Sequence, residues 1–265
     1  MFHIAEGVGG VDVYGANVRF LALWNSFLAY HEKSFKRINS AADIDLARAS
    51  GKIGVILGLQ DSAHFRFVQD VDEFYAYGQR VSQLTYNSRN LIGNGSTERR
   101  DEGLSDYGLA IVARMNQVGM AVDVSHSGDR TTLDALDVSK KPVLFTHINC
   151  RALSGHVRAK TDEAIKKCAE RGGVMGIIGV RMFVKADEPT TVEDYLDHFD
   201  HVRMLTGPEF SGDRQRYGLA RLRRDARSRF ASPSLPTTRP RTNFATSSTL
   251  RESIIRNGCS MSRKG

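Results

Sequence analysis

Five short runs that are typical of β-strands, most of them apolar and each followed by a helical segment or by a loop and a helical segment, constrain the fold of this chain more than any other feature. They occupy residues 53–57, 81–85, 120–124, 142–145 and 174–178. Continuous apolar runs of this length, alternating with helices, are typical of parallel strands that are buried on both faces. The alternation predicts an α/β fold, either a TIM-type (β/α)8 barrel or a doubly wound sheet. A complete barrel needs eight strands, so about five recognisable βα units indicate an incomplete one.

Helical spacing of apolar residues accounts for most of the chain between these runs. The predicted helices span residues 16–38, 41–49, 70–79, 106–119, 131–138, 162–171 and 192–207. Ser40, Ser105 and Thr161 precede three of them and are candidate N-caps, because their side-chain oxygens can accept a hydrogen bond from the first helical turn. In the first helix, Lys and Arg collect near the predicted C-terminus, where the helix dipole favours them.

The net charge of +7 comes from the last fifth of the chain. Residues 211–265 contain 13 Lys and Arg and only 3 Asp and Glu, whereas the residues before them are slightly acidic overall. We therefore divide the chain into a partial barrel, residues 1–209, and an Arg-, Ser- and Pro-rich tail, residues 210–265, which we expect to be disordered or weakly helical. The tail can be interpreted as a basic nucleic-acid or membrane-surface segment, as a solvated tail, or as an out-of-frame product. We favour the last two, so nucleic acid is not an expected partner.

The sequence shows no apolar run long enough to cross a membrane and no convincing secretory signal. Its three cysteines, Cys150, Cys168 and Cys259, give an odd number without the CxxC spacing of a zinc site. We therefore expect a cytoplasmic protein without a membrane partner.

His126 and His147 follow the third and the fourth apolar runs. The C-terminal ends of parallel strands form the active face of α/β folds, so the two imidazoles are expected to point at one site. There they would be candidate metal ligands. The alternative is that each is an isolated, hydrogen-bonded histidine, and for either one alone we favour that interpretation. For the pair, at matching places in successive βα units, we favour a metal site.

Several motifs of this sequence recur in the same order and spacing in a known family. They are LTYNSRN at residues 84–90, GLSDYG…VGMAVDVSH at 103–126, PVLFTHINCRAL…HVRAKTDEAI at 142–165 and GGVMGI at 172–177. Across residues 15–209 the sequence resembles the membrane dipeptidase family, which comprises the renal-dipeptidase-like zinc peptidases and their bacterial relatives. The resemblance implies a (β/α)8 barrel with a two-zinc site at its C-terminal face. There a zinc-activated water would hydrolyse the peptide bond of a dipeptide.

The resemblance also implies roles for five residues. His126 and His147 correspond to the two ligands of one zinc ion, and Asp123 sits where its carboxylate could accept an imidazole N–H. Arg158 matches the arginine that binds the substrate's C-terminal carboxylate, a task that suits a planar guanidinium with two parallel hydrogen bonds. Tyr86 takes the place of a substrate-facing histidine, and its hydroxyl could donate to the developing oxyanion.

Three departures from the family pattern concern the rest of the site. The His-x-Asp pair that the first strand of the family contributes to the other zinc ion is not found at the start of the sequence, and the segment around His3 is too short to supply the missing strand and its loop. Gln60 stands where the family has the glutamate that bridges the two ions, and a neutral amide is a poor bridge. The strand with the catalytic aspartate is not found. The surroundings of Asp213 do not match it, so no catalytic acid or base is assigned.

These observations predict a zinc metallodipeptidase by family, acting on a small dipeptide. They also predict at most one zinc ion, held by His126, His147 and Gln60, and little or no activity in this chain alone. The alternatives are an inactive, truncated member that lacks one metal site, a non-enzymatic protein whose basic tail binds nucleic acid, and an amidohydrolase acting on another amide or a lactone. Two open, apolar sheet edges would favour pairing with another chain, so a homo-oligomer is left open.

Overall fold

A computed structural model of the chain describes residues 2–4 and 12–210. The strands within these residues form one parallel sheet that curls into part of a barrel, and helices pack on the outer face of the sheet. The predicted incomplete α/β barrel is therefore confirmed, and the alternative of a doubly wound sheet is dropped.

The described part of the chain contains seven strands and nine helices. The strands are β1 (Phe2–Ile4), β2 (Phe35–Arg37), β3 (Ile53–Gln60), β4 (Gln79–Gln83), β5 (Ala121–Asp123), β6 (Val143–Ile148) and β7 (Val174–Ile177). The helices are α1 (Val13–Tyr30), α2 (Ala41–Ala49), α3 (Asp70–Ala76), α4 (Asp106–Val118), α5 (Asp129–Val138), α6 (Arg151–Ser154), α7 (Asp162–Glu170), α8 (Arg181–Val184) and α9 (Val192–Phe210). The five predicted strands are present with ends shifted by a few residues, and α9 has a non-helical residue at Gly207, where the predicted helix ends.

The strand order is β1-β3-β4-β5-β6-β7, and every pair is parallel. Strand β2 lies beside residues 53–55 of β3, and β1 lies beside residues 55–57 of the same strand. The consecutive strands β4, β5 and β6 therefore occupy the middle of the sheet, with their C-terminal ends side by side.

Two strands differ from the sequence prediction. The segment around His3, expected to be too short for a missing strand and its loop, does contain a strand, because Phe2–Ile4 form β1 and β3 supplies the partners for its backbone. The residues that follow it, 5–11, lie outside the described part of the chain. The predicted helix over residues 16–38 is also wrong at its end. Helix α1 stops at Tyr30, and Phe35–Arg37 form β2.

Aromatic packing explains the early end of α1. The ring of Phe35 lies 5.8 Å from the ring of Phe27, and both rings pack against the main core. This contact turns the chain back so that β2 can pair with β3. The predicted cluster of basic residues at the helix C-terminus is therefore absent, since Lys36 and Arg37 belong to β2 and the last turn of α1 carries no basic residue.

The register of the sheet separates an apolar face from a polar one. Leu59, Val122 and Val143 lie in one row of paired residues and pack in the main core together with side chains of α4, α5 and α7. In a strand, successive side chains point to opposite faces. The next row, which contains Gln60, Gln83 and Asp123, therefore lies on the face away from these helices.

Two of the predicted N-caps are present at the N-termini of helices that flank the central strands. The side-chain oxygen of Ser105 accepts a hydrogen bond from the backbone of Gly108 at the start of α4, and that of Thr161 accepts one from Ala164 at the start of α7. No helix in residues 12–210 is long and apolar enough to cross a membrane. Except for Phe210, the predicted tail at residues 210–265 lies outside the described residues and stays a prediction.

Candidate metal site

The two histidines predicted from the sequence meet at the ends of neighbouring strands. His126 lies in the loop after β5, His147 lies near the end of β6, and their Nε2 atoms are 2.9 Å apart. The parallel register of β5 and β6 brings these positions together. The structure thus places both imidazoles at one point, as the sequence predicts.

The second ring nitrogen of each histidine faces an oxygen. Nδ1 of His126 lies 2.8 Å from the side-chain oxygen of Asn87, which can only accept a hydrogen bond. Nδ1 of His147 lies 2.8 Å from the hydroxyl of Thr146, and that hydroxyl donates to Asp123 at 2.7 Å and therefore accepts from the imidazole. Both histidines then carry their hydrogen on Nδ1, so the unprotonated Nε2 atoms face each other.

Two nitrogen lone pairs at this distance repel each other unless a proton or a metal ion lies between them, and the spacing fits two ligands of one ion. Two imidazoles bound to one ion at about 2.0–2.1 Å have their nitrogens about 2.9–3.4 Å apart, for bond angles between about 90° and 110°. The observed 2.9 Å lies at the short end of that interval. Burial, and then the positive charge of Arg158, lower the pKa of His126 to about 2, so this imidazole stays neutral, as a metal ligand must.

Asp123 is fully buried and binds the residue that precedes each histidine. Its carboxylate accepts hydrogen bonds from the backbone and hydroxyl of Ser125, at 3.0 and 2.6 Å, and from the backbone and hydroxyl of Thr146, at 3.2 and 2.7 Å. Thr146 stands between the carboxylate and the imidazole of His147. Asp123 therefore reaches that imidazole through a hydroxyl group, whereas the sequence predicts a direct contact.

Tyr86 lies flat on the imidazole of His126. The two ring centroids are 4.2 Å apart with an angle of 18° between the planes, and 41% of Tyr86 is exposed. The neighbouring Asn87 has a φ of 59°, a left-handed conformation that asparagine tolerates better than most residues. This turn places the Tyr86 ring above His126 and the Asn87 oxygen beside its Nδ1 atom.

Arg158 is also part of this site. It is only 4% exposed, and its Nη1 atom donates a hydrogen bond to the carbonyl of Ser125, one residue before His126. Its guanidinium carbon lies 5.5 Å from the ring centroid of Phe183 on α8. Burial lowers the pKa of Arg158 to about 10, so the side chain stays positively charged at neutral pH.

Gln60 lies on the same face of the sheet as Asp123. It is the last residue of β3, is half-buried, and lies in the row that also contains Gln83 and Asp123. Within residues 12–207, no group of three or more His, Cys, Asp or Glu side chains could hold a metal ion. The part of Gln60 as a third ligand stays a prediction.

Sequence reasoning missed Asn87 and Thr146, the two residues that orient the imidazoles. Both stand next to residues that it did assign, Asn87 after Tyr86 and Thr146 before His147. Their polar side chains at the C-terminal ends of two strands are the signal that could have identified them.

Residues 14–214 match the family described as Membrane dipeptidase (Peptidase family M19). An uncharacterised dipeptidase of Schizosaccharomyces pombe is 31% identical over 196 residues, which are 69% of this chain and 46% of that protein. The chain thus spans less than half the length of this relative.

Two solved structures are similar in fold. An amidohydrolase from Pseudomonas aeruginosa is 33% identical with a TM-score of 0.71, and the match covers 78% of this chain and 62% of that chain. A metallopeptidase from Rhodobacter sphaeroides, whose structure contains a phosphinate mimic of the dipeptide L-Ala-D-Ala, is 22% identical with a TM-score of 0.64. That match covers 80% of this chain and 66% of that chain, and it is a similarity of fold alone.

Proposed function

The chain belongs to the membrane dipeptidase family, and from this premise we propose that it is a metal-dependent dipeptidase with a zinc ion bound by His126 and His147. The observation that carries the proposal is the 2.9 Å separation of their Nε2 atoms. Asn87 and Thr146 keep hydrogen on the opposite ring nitrogens, which supports the pair as ligands. Acceptors on the second nitrogen of a metal-binding histidine are the usual way to fix its tautomer and raise its basicity.

The residues present suit one divalent ion better than two. Two neutral imidazoles are good ligands for zinc, and Gln60 could add an amide oxygen from the neighbouring part of the sheet. A bound ion would lower the pKa of a water molecule and polarise the peptide carbonyl. The residues of the chain would hold and orient the ligands and the substrate around it.

Arg158 and Tyr86 are the proposed substrate-binding residues. The guanidinium of Arg158 has five N–H donors, and its bond to the Ser125 carbonyl holds it in a fixed orientation. A buried cation attracts a carboxylate more strongly than an exposed one, because water screens it less. A dipeptide carries its free carboxylate close to the scissile bond, which suits this position. Tyr86 is exposed over 41% of its surface, and in the proposal its hydroxyl donates a hydrogen bond to the carbonyl oxygen of the substrate.

Metal binding by the full chain tests the proposal directly. Purified protein is stripped of metal and titrated with Zn²⁺ against a chelator of known affinity, and hydrolysis of Gly-D-Phe is measured with Zn²⁺ present. We expect binding of no more than one ion, and loss of that binding in His126→Ala and in His147→Ala. His31→Ala, which changes an exposed histidine outside the site, serves as the matched control. Wild-type protein that binds no more Zn²⁺ than the His126→Ala variant contradicts the proposal.

A second candidate is a family member that binds one ion but has no turnover. Among the described residues, only two side chains of the His, Cys, Asp and Glu types come together at the site as possible metal ligands, and this favours the second candidate. Binding of Zn²⁺ without hydrolysis of Gly-D-Phe supports it, whereas turnover that depends on His126 supports the dipeptidase. The cytoplasmic location and the homo-oligomer stay predictions.

A further inference from the structure

Lys160 is a fully buried amine beside the candidate metal site. Only 1% of the residue is exposed, and its Nζ atom donates hydrogen bonds of 2.7 Å to the carbonyl of Ser127 and to the hydroxyl of Thr132. The amine also lies 5.7 Å from the ring centroid of Phe145 in the core. Lysine is almost never buried to this extent unless its amine is paired, so this position needs an explanation.

The backbone of Lys160 forms hydrogen bonds with the loop that follows β6. Its N–H donates to the carbonyl of Asn149 at 2.9 Å, and its carbonyl accepts from the N–H of Arg151 at 2.9 Å. Asn149 is two residues after His147, and Ser127 directly follows His126. One residue therefore holds the loop after β5 with its side chain and the loop after β6 with its backbone.

Burial of this amine is unfavourable for stability. Removal from water, and then the positive charge of Arg158, lower the pKa of Lys160 to about 7. An apolar side chain of the same length would avoid this desolvation. The buried amine is therefore better explained by a role in holding the two loops together than by a contribution to stability.

We propose that Lys160 is a positioning residue that sets the separation of His126 and His147 and thereby the affinity of the site for metal. This inference rests on the proposed function, because it takes the two imidazoles to be ligands of one ion. A second connection between the same loops lies further out, where Arg151 binds Asp129 and the carbonyls of Val157 and Ala159. That connection is half-exposed and does not contact the residues next to His126 or His147.

The substitution Lys160→Met tests the proposal, since methionine keeps most of the length of the side chain and removes the donors. We expect the variant of the full chain to bind Zn²⁺ about 10–100-fold more weakly, which is the usual effect of losing a residue that orients a ligand. Lys167→Met is the matched control, because it removes an amine that pairs with Asp137 at 2.7 Å on the surface. The control is expected to bind Zn²⁺ like the wild type.

A core variant separates positioning from stability. Leu136→Ala truncates a side chain of α5 that is 1% exposed in the main core, outside the two loops that Lys160 joins, and should lower the urea concentration at which the protein unfolds. Positioning by Lys160 predicts weak Zn²⁺ binding in Lys160→Met and near wild-type Zn²⁺ binding in Leu136→Ala. Equal loss of Zn²⁺ affinity in the two variants overturns the proposal, as does wild-type affinity in Lys160→Met.

Hydrogen exchange of the metal-free proteins supplies a readout that does not depend on the proposed function. We expect Lys160→Met to accelerate amide exchange in residues 125–132 and 147–151 by at least tenfold more than in the strands. Wild-type protein that fails to bind Zn²⁺ would refute the metal site, while this local acceleration would still support Lys160 as the residue that joins the two loops. Exchange that rises equally throughout the protein overturns the proposal.

Discussion

The hydroxyl of Thr146 offers the sharpest test of how the metal site is built. It donates to the buried carboxylate of Asp123 at 2.7 Å and accepts from Nδ1 of His147 at 2.8 Å. Thr146→Val removes the hydroxyl while the branched shape of the side chain is kept. His147 then loses the acceptor that keeps hydrogen on Nδ1, and hydrogen can move to Nε2, where it occupies the position of the metal.

The expected losses of Zn²⁺ affinity and of stability follow from the contacts of Thr146. Loss of an orienting partner lowers metal affinity by about 10–100-fold, or about 1.4–2.7 kcal/mol. Asp123 keeps its other three hydrogen bonds, so the loss of one bond to a charged group should lower the free energy of unfolding by about 2 kcal/mol. The variant should therefore remain folded while it binds Zn²⁺ more weakly.

The assay is a Zn²⁺ competition titration, with urea unfolding of the same samples. Thr146→Ser is the matched control, because serine keeps the hydroxyl and loses only a methyl group. We expect wild-type affinity in Thr146→Ser and weaker binding in Thr146→Val. Equal affinity in the two variants would show that the hydroxyl does not control the tautomer of His147, and the reasoning would fail.

Three further predictions concern the substrate and the response to acid. Arg158→Gln should raise the KM for a dipeptide about 10–100-fold and leave the KM for its C-terminal amide nearly unchanged, because only the free carboxylate uses the guanidinium; an equal rise for both would contradict the assignment. Tyr86→Phe should lower kcat about 100-fold with unchanged Zn²⁺ affinity, since the ring that stacks on His126 remains, and a wild-type kcat would exclude the hydroxyl as an oxyanion donor. Burial lowers the pKa of His64 from 6.5 to about 4, so below pH 6.5 the unfolded chain binds a proton that the folded protein does not, and the free energy of unfolding falls by about 2.5 kcal/mol between pH 7 and pH 4.5. Urea unfolding of the wild type and of His64→Phe at pH 7 and pH 4.5 measures it, and parallel loss of stability in both proteins would contradict the assigned pKa.

The central strands could be predicted because their signals are local. The runs that become β3, β5, β6 and β7 are mainly apolar, the run at residues 81–85 that becomes part of β4 has fewer apolar residues, and each lies between helical patterns that mark its ends. Strands β1 and β2 have only three residues each and no such pattern. They become strands because β3 offers an edge for pairing, and this tertiary contact is not visible in a short window of sequence.

The same limit applies to the site. His126 and His147 could be predicted to meet because each stands at the end of an apolar run, and parallel strands bring such ends together. The contacts of Asn87 with His126 and of Lys160 with Ser127 depend on the path of the backbone in loops, which is determined by tertiary structure. The side chain of Asn87 faces His126 because its backbone is left-handed. The amine of Lys160 reaches the carbonyl of Ser127 through the interior of the protein. Neither contact leaves a periodic pattern in the sequence.

The contacts that orient the two imidazoles come from three consecutive strands and the loops that follow them. Asn87 follows β4, Asp123 ends β5 and Thr146 belongs to β6. These three strands lie next to one another in the sheet, so their register brings the acceptors and the two histidines to the same edge. The geometry of the histidine pair therefore depends on the centre of the sheet. A chain that spans less than half the length of its relative can retain this part of the site.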